Sequence, residues 1–388
     1  MPEAAARRDR SGSLLTLLLP LLIGLGALAA IELGGTMTWL LVQPTATVLS
    51  GLVLLSSVVL LLSNSVAAQA DRVAELVGQP YGTLVLTGAV MTIELALVAS
   101  TMLTGEANPT LARDSMFSVV MIALTGVTGL CNVIAALRSR SFFVNGRLDS
   151  SQLAAPNMLG ALTYFDLITT MCVLALVIPN FSPSTSEANF SPAENAVLAV
   201  VALGVYIVFI TAQVGSYRDL YTEVEGAQDG NAGSGKAEAP IDLPLGQATL
   251  LLAAGLLVVC LIAESMGRLI ETGIHDLGLP SSLAGVLVAL LILAPEAFNA
   301  IRAASQGEVQ RSINTLYGSV VATVSLTVPA VLLLGAITGT DVILGLDPLN
   351  MVLLVLTLMI LNPRARLTGI EGMMKLVIFL FWILLQVA

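Results

Sequence analysis

The chain is divided into apolar runs of about twenty residues, and nothing else in it limits the fold as tightly. As a helix, a run of that length matches the hydrocarbon thickness of a bilayer. The runs lie near 13–32, 43–63, 82–104, 114–137, 157–179, 193–217, 246–266, 282–304, 310–338, 347–362 and 367–387. In lipid, backbone N–H and C=O groups must pair within the segment or in a closed barrel. These runs are rich in Leu, Val, Ala and Gly and lack period-two alternation, so they read as helices. Only 11% of the residues are charged and the mean hydropathy is +0.92, against about 25% charged in a soluble domain. The expected fold is therefore all-α: a polytopic membrane protein of about eleven transmembrane helices. The first run follows "RRDR" as a signal peptide would, but ten more follow it, so an uncleaved helix over 13–32 is the simpler reading.

Charge placement supports this count. With a cytoplasmic N-terminus, alternate connections collect the basic residues on one side, and only Arg113 and Arg268 of the 16 Lys and Arg fall on the other. Lys375 belongs to the cytoplasmic set, just inside the end of its span. This pattern implies a multi-pass protein of a bacterial inner membrane, with the lipid bilayer as its environment. The longest break, 218–245, is acidic and Gly/Ala-rich and reads as a flexible cytoplasmic linker. The expected organisation is an extra helix at 13–32, a first five-helix repeat at 43–217, the linker at 218–245 and a second five-helix repeat at 246–387.

Several other functions lose support. "GNAGSGKA", Gly230 to Ala237, approaches a phosphate-binding loop but lacks the Ser or Thr that would hold magnesium, so no nucleotide is expected. A net charge of −10 argues against nucleic acid. Cys131, Cys172 and Cys260 lie in apolar runs and read as small packing residues. The single histidine, His275, leaves no zinc pattern, and no cofactor is expected.

An internal repeat organises the rest. The third span carries "VMTIELALV" around Glu94, and the eighth carries "LLILAPEAFNA" around Glu296. "GE" follows each glutamate by 11 and 12 residues, at Gly105–Glu106 and Gly307–Glu308. "SVV" then opens at Ser118 and at Ser319. Shared order and spacing mark a duplication. The copies are five spans apart, and an odd number of crossings reverses direction, so the repeat is inverted. Such repeats, with polar groups at mid-membrane, are typical of secondary transporters.

A charged acidic residue at mid-helix costs about 3 kcal/mol on insertion scales, so such residues mark ion or proton routes. Two carboxylates meeting in a dry pocket cannot easily both ionise, whereas a bound cation drives both to the charged form. Cation and protons then compete for the same oxygens, and those hard ligands suit Ca2+ or Na+ rather than soft metals. Pro295 would free the carbonyl of Leu291 one turn back, a further ligand. Thr92 precedes Glu94 by two, and Asn299 lies one turn beyond Glu296. Hydroxyls recur at Thr315, Ser319, Thr323 and Thr327, and at Ser118 and Thr125 with Asn132. They read as packing groups or interhelical hydrogen bonds, with Ser118 and Ser319 as candidate ligands. Glu264, near a span end, reads as interfacial. Asp166, mid-span, would make an interhelical hydrogen bond or join a proton path.

"GQPYGTLVLTGAVMTIELALVAS", "NPTLARDSMFSVVMI" and "LLILAPEAFNAIRAASQGEVQRSINTLYGSVVATVSLTVPA" resemble the ChaA-type proton antiporters of the calcium/cation antiporter superfamily. The resemblance implies two inverted five-helix halves after an extra helix, with an acidic segment between them. It implies export of Ca2+, Na+ or K+ in exchange for H+, with Glu94 and Glu296 binding the cation. The sequence also departs from the wider calcium/proton exchangers. They carry Gly-Asn-Ala-Ala-Glu around each glutamate, where this chain reads "VMTIE" and "ILAPE". They also place an amide four residues after the serine matching Ser118 or Ser319, where this chain has Ile122 and Thr323. Fewer amides leave room for a monovalent-selective Na+(K+)/H+ antiporter. A cation channel of the same fold is the other alternative. An intramembrane enzyme would need a Ser-His pair, H-E-x-x-H or G-x-G-D, and none is present.

Overall fold

The computed structural model describes residues 2–78, 81–104, 109–138, 155–183, 189–215, 217–221, 244–280, 282–364 and 366–387. Among the described residues every regular element is helical. Eight helices are long and apolar enough to cross a membrane, and three shorter apolar helices complete the expected spans. In chain order they are α1 Pro2–Glu32, α2 Thr45–Val77, α3 Tyr81–Thr104, α4 Leu111–Arg138, α5 Met158–Phe181 and α6 Pro192–Val214. The remainder are α7 Leu245–Leu277, α8 Ser282–Gln306, α9 Val309–Thr338, α10 Pro348–Leu361 and α11 Gly369–Val387.

α1 begins at Pro2, before its expected start at 13, and two other helices run well past their expected ends. α2 was expected over 43–63 and α7 over 246–266, yet each has 33 residues. Hydropathy falls where polar residues enter, but the helices continue as amphipathic ones. Val66, Gln69, Ala70 and Val73 stay buried along the α2 extension, as do Leu269, Ile270, Gly273 and Ile274 along that of α7. Glu264 is exposed there and pairs with Arg268 one turn on.

The chain forms two compact units, Met1–Gly105 with Gln228–Leu277, and Glu106–Ala227 with Gly278–Ala388. They interleave the two sequence halves, since the first unit takes α1, α2 and α3 from one half and α7 from the other. In this unit α2 and α7 are antiparallel along most of their length. Leu49 lies at Gly273, Ser56 at Met266 and Val66 at Gly255, so the contact advances on one helix as it retreats on the other. α1 sets Gly24 against Leu62 of α2 and Val258 of α7. α3 packs on both long helices, and Ser100 Oγ donates to Ala263 O at 2.7 Å.

The second unit is built around α4, in which every residue from Asp114 to Gly129 is buried. A helix buried on all sides is a core element. Its neighbours approach to backbone distance at glycines. A Cβ on Gly285 of α8 would lie 2.7 Å from the backbone of Asp114 and Ser115, and one on Gly372 of α11 would lie 2.8 Å from Gly129 O. Small residues at such crossings are how helices pack in lipid, where burial of apolar surface supplies little drive. Three helices contain wide π-helical turns, at Ile122–Val127 of α4, Val173–Val177 of α5 and Thr323–Thr327 of α9. The last two stand just before Pro179 and Pro329, whose missing N–H breaks the ordinary ladder.

Helix starts follow local chemistry. Ser191 and Glu194 form a capping box on α6, and Asp347 Oδ1 accepts from Leu349 N and Asn350 N at the start of α10. The linker begins later than expected. Arg218–Tyr221 is a 3-10 turn held by Asn314 Nδ2 donating to Tyr221 O at 2.6 Å, with the Tyr221 ring 5.2 Å from that of Tyr164. The phosphate-loop-like Gly230–Ala237 and the Gly105–Glu106 pair lie outside the described residues.

Candidate cation and proton site

Glu94 is central in α3 and only 2% exposed. Thr92, two positions earlier, points elsewhere. It is exposed, and its hydroxyl donates to Gly88 O at 2.7 Å within the same helix. An offset of two residues turns a side chain by about 200° around a helix. Thr92 is thus turned away from Glu94, and the support expected of it is not seen.

Glu296 lies in the second unit and is half-buried, directly after the buried Pro295. Leu291 is 8% exposed. Proline at 295 leaves the Leu291 carbonyl without its helical N–H. Asn299 is exposed on the same side of α8 as Glu296. Polar groups on one face of a membrane helix turn toward water rather than lipid.

The depth of Glu296 follows from the packing of α8 on α4. Gly285 meets Asp114 near the start of both helices, and Ala304 meets Thr128 and Asn132 further along both. The two helices are therefore parallel, and Glu296, between those contacts, is level with the wide turn Ile122–Val127. That turn is lined with oxygens. Thr125 Oγ1 donates to Met121 O, and Thr128 Oγ1 donates to Ala123 O at 2.7 Å, five residues back as a wide turn allows. Ser118 Oγ donates to Asp114 O at 2.6 Å. Each hydroxyl directs its proton to its own helix, so its lone pairs remain to accept a bond or ligate a cation.

The matching helix of the other half repeats this arrangement. Ser319 is half-buried in α9, and the wide turn begins four residues later at Thr323, as it begins at Ile122 four residues after Ser118. The first part of each helix packs on the wide turn of the other. Thr323 and Thr327 are buried, and Ser325 Oγ, fully buried between them, has no hydrogen-bond partner. Ser325 was not singled out from sequence, because it lies off the fourfold-spaced stripe of threonines.

Among the described residues no three His, Cys, Asp or Glu side chains converge. A cation held by these residues would draw on carboxylate, hydroxyl and carbonyl oxygens together. Asp166 is exposed on α5, so it does not make the buried interhelical bond considered for it. The sequence reading also missed a buried ion pair. Lys375, assigned to the cytoplasmic end of α11, is 1% exposed, and its Nζ donates to Glu371 Oε1 at 2.8 Å. The i,i+4 spacing of "EGMMK" carried that signal.

Comparison with known proteins now has a geometry to attach to. The family model described as sodium/calcium exchanger protein matches residues 43–215 and 247–388. The chain is 35% identical over 321 residues to the protein y4hA of Sinorhizobium fredii, covering 82% of this chain and 83% of that one. It is 31% identical over 320 residues to the sodium-potassium/proton antiporter ChaA of Escherichia coli, covering 81% and 82%. The solved structure of native YfkE, a Ca2+/H+ antiporter, superposes with a TM-score of 0.63 over 95% of this chain and 99% of that one, at 17% identity.

Proposed function

The chain belongs to the sodium/calcium exchanger protein family, and from that premise we propose that it exports a cation, Ca2+, Na+ or K+, in exchange for H+. Glu94 and Glu296 alternately hold the cation and protons. The two inverted halves expose that site to one side and then to the other. Binding must be exclusive, because a site carrying cation and protons together would uncouple the exchange. The proton gradient drives the cycle. The N-terminus is cytoplasmic and the protein resides in a bacterial inner membrane, as the basic residues indicate.

One observation carries this reading. A glutamate stands mid-helix in each sequence half, each followed by a partner helix with a serine one turn ahead of a wide turn. Ser118 and Ser319, with the carbonyl of Leu291 beside Pro295, supply neutral oxygens. A second reading, monovalent selectivity, rests on Ile122. It opens the wide turn of α4 as a buried side chain with no oxygen, and a site poorer in ligands holds a divalent ion less well.

Everted membrane vesicles test both. Proton movement on adding Na+, K+ or Ca2+ is expected, and Glu94→Gln or Glu296→Gln should abolish it while the protein still inserts. Cation flux that neither needs nor moves protons would make the protein a channel.

A further inference from the structure

Glu371 and Lys375 lie one turn apart on α11, outside the residues given to cation binding, and are 4% and 1% exposed. Removing two charges from water costs several kcal/mol per ion before their attraction offsets it. Ionisable residues kept inside a bilayer otherwise mark ion or proton routes. This pair is connected on both sides. Arg364, itself exposed, brings Nη1 to 3.7 Å from Glu371 Oε2, a buried oxygen that accepts no hydrogen bond. On the other side, with the Asn132 amide turned over, its Oδ1 accepts from Lys375 Nζ at 3.3 Å and its Nδ2 donates to Thr128 O at 3.3 Å.

Thr128 and Asn132 in turn line a cavity of about 10 Å3 with Cys131, Ser312 and Ala304. That is room for about one water, with Thr128, Asn132 and Ser312 as its polar lining and Val309, Ile313 and Leu316 as its apolar lining. Ala304 lies on α8 roughly 12 Å along the axis from Glu296, toward the cytoplasmic end. Tyr317 lies near both Glu371 and Cys131. A line of polar groups thus runs from the exposed Arg364 to a water-sized space beside the glutamate helix.

We propose that Glu371 and Lys375 relay protons between the transport site and the cytoplasm. The proposal rests on the antiporter reading above. Lys375 passes a proton to Glu371, and Glu371 releases it to water beside Arg364. The neutral amine then takes up a proton that leaves the transport site through a water in the cavity. One proton departs the site, one reaches the cytoplasm, the charges of the pair are restored and no electrons move.

The test uses the full chain in proteoliposomes and compares two fluxes. One is H+ movement driven by Na+, K+ or Ca2+. The other is exchange of a labelled cation for the same cation, which needs no proton step. Lys375→Arg keeps the ion pair but carries a guanidinium that does not release its proton. Glu371→Gln with Lys375→Met removes both charges together and leaves no lone buried ion. In each variant the proton-coupled flux should fall on the order of tenfold or more while self-exchange stays within about twofold. Loss of both fluxes in parallel would make the pair structural, and undiminished proton coupling in Lys375→Arg would equally overturn the relay. Wild-type protein in which no cation moves protons would instead refute the antiporter reading, a separate outcome.

Discussion

α3 and α8 carry the two glutamates of one duplicated pattern, yet they solve the problem of an intramembrane carboxylate differently. Glu94 is enclosed in an uninterrupted helix, 2% exposed, with no proline near it. Glu296 follows Pro295 and is half-buried, with the exposed Asn299 one turn on. The surroundings also differ at two glycines that are not repeat equivalents, Gly88 six residues before Glu94 and Gly285 eleven before Glu296. Nothing lies within 4 Å of a Cβ on Gly88, whereas one on Gly285 would meet backbone at 2.7 Å. Duplication has kept the acid and its spacing but not the helix that bears it. The acid is shared, and its packing differs.

The largest expected effect tests what is shared. Glu94→Gln and Glu296→Gln should each reduce proton-coupled exchange to background in everted vesicles, and appreciable activity in either would leave a single functional acid. Gly285→Ala comes next. Its Cβ must push α8 off α4, at a cost of about 1–3 kcal/mol, measurable as a lower unfolding midpoint in detergent. Gly88→Ala, in open space, should be neutral or stabilising by up to about 1 kcal/mol. If the two alanines destabilise alike, the contrast in packing is wrong. Pro295→Ala restores the hydrogen bond to Leu291 and should stabilise the helix by up to about 3 kcal/mol while slowing exchange. Faster or unchanged exchange would remove the freed carbonyl from the site. The smallest effect is expected for Thr92→Ala, whose hydroxyl serves its own helix, and transport should match wild type.

Much of this was legible because hydrocarbon thickness is a hard constraint. Twenty apolar residues between polar breaks identify a span whatever its neighbours, and every expected span corresponds to a helix. The long ends of α2 and α7 were not visible to the same test, because Gln69 or Glu271 lowers hydropathy without stopping a helix. The wide turns were partly readable. Pro179 and Pro329 announce those of α5 and α9, but α4 has no proline, and its turn shows only once Thr128 is seen bonded to Ala123. Lys375 was misjudged for a related reason. A lysine near a span end ordinarily extends to the interface, but here it is held in by the buried Glu371 one turn back. Glu94 and Glu296 stand out because an acid in an apolar run is conspicuous. Ser325 was not, because serine is ordinary between membrane helices.

The antiparallel match of α2 and α7 has a mechanical consequence. The helices run past their apolar stretches over 64–77 in α2 and 267–277 in α7, about 21 and 16 Å at 1.5 Å per residue, and because they are antiparallel each extension lies against the apolar stretch of the other. Arg72 and Glu75 stand toward one end of the pair, and Glu271 and Asp276 toward the other. The pair is in effect a rod with a handle at each end. A rod with no loop in its length cannot absorb a push, so a displacement applied at one end arrives at the other.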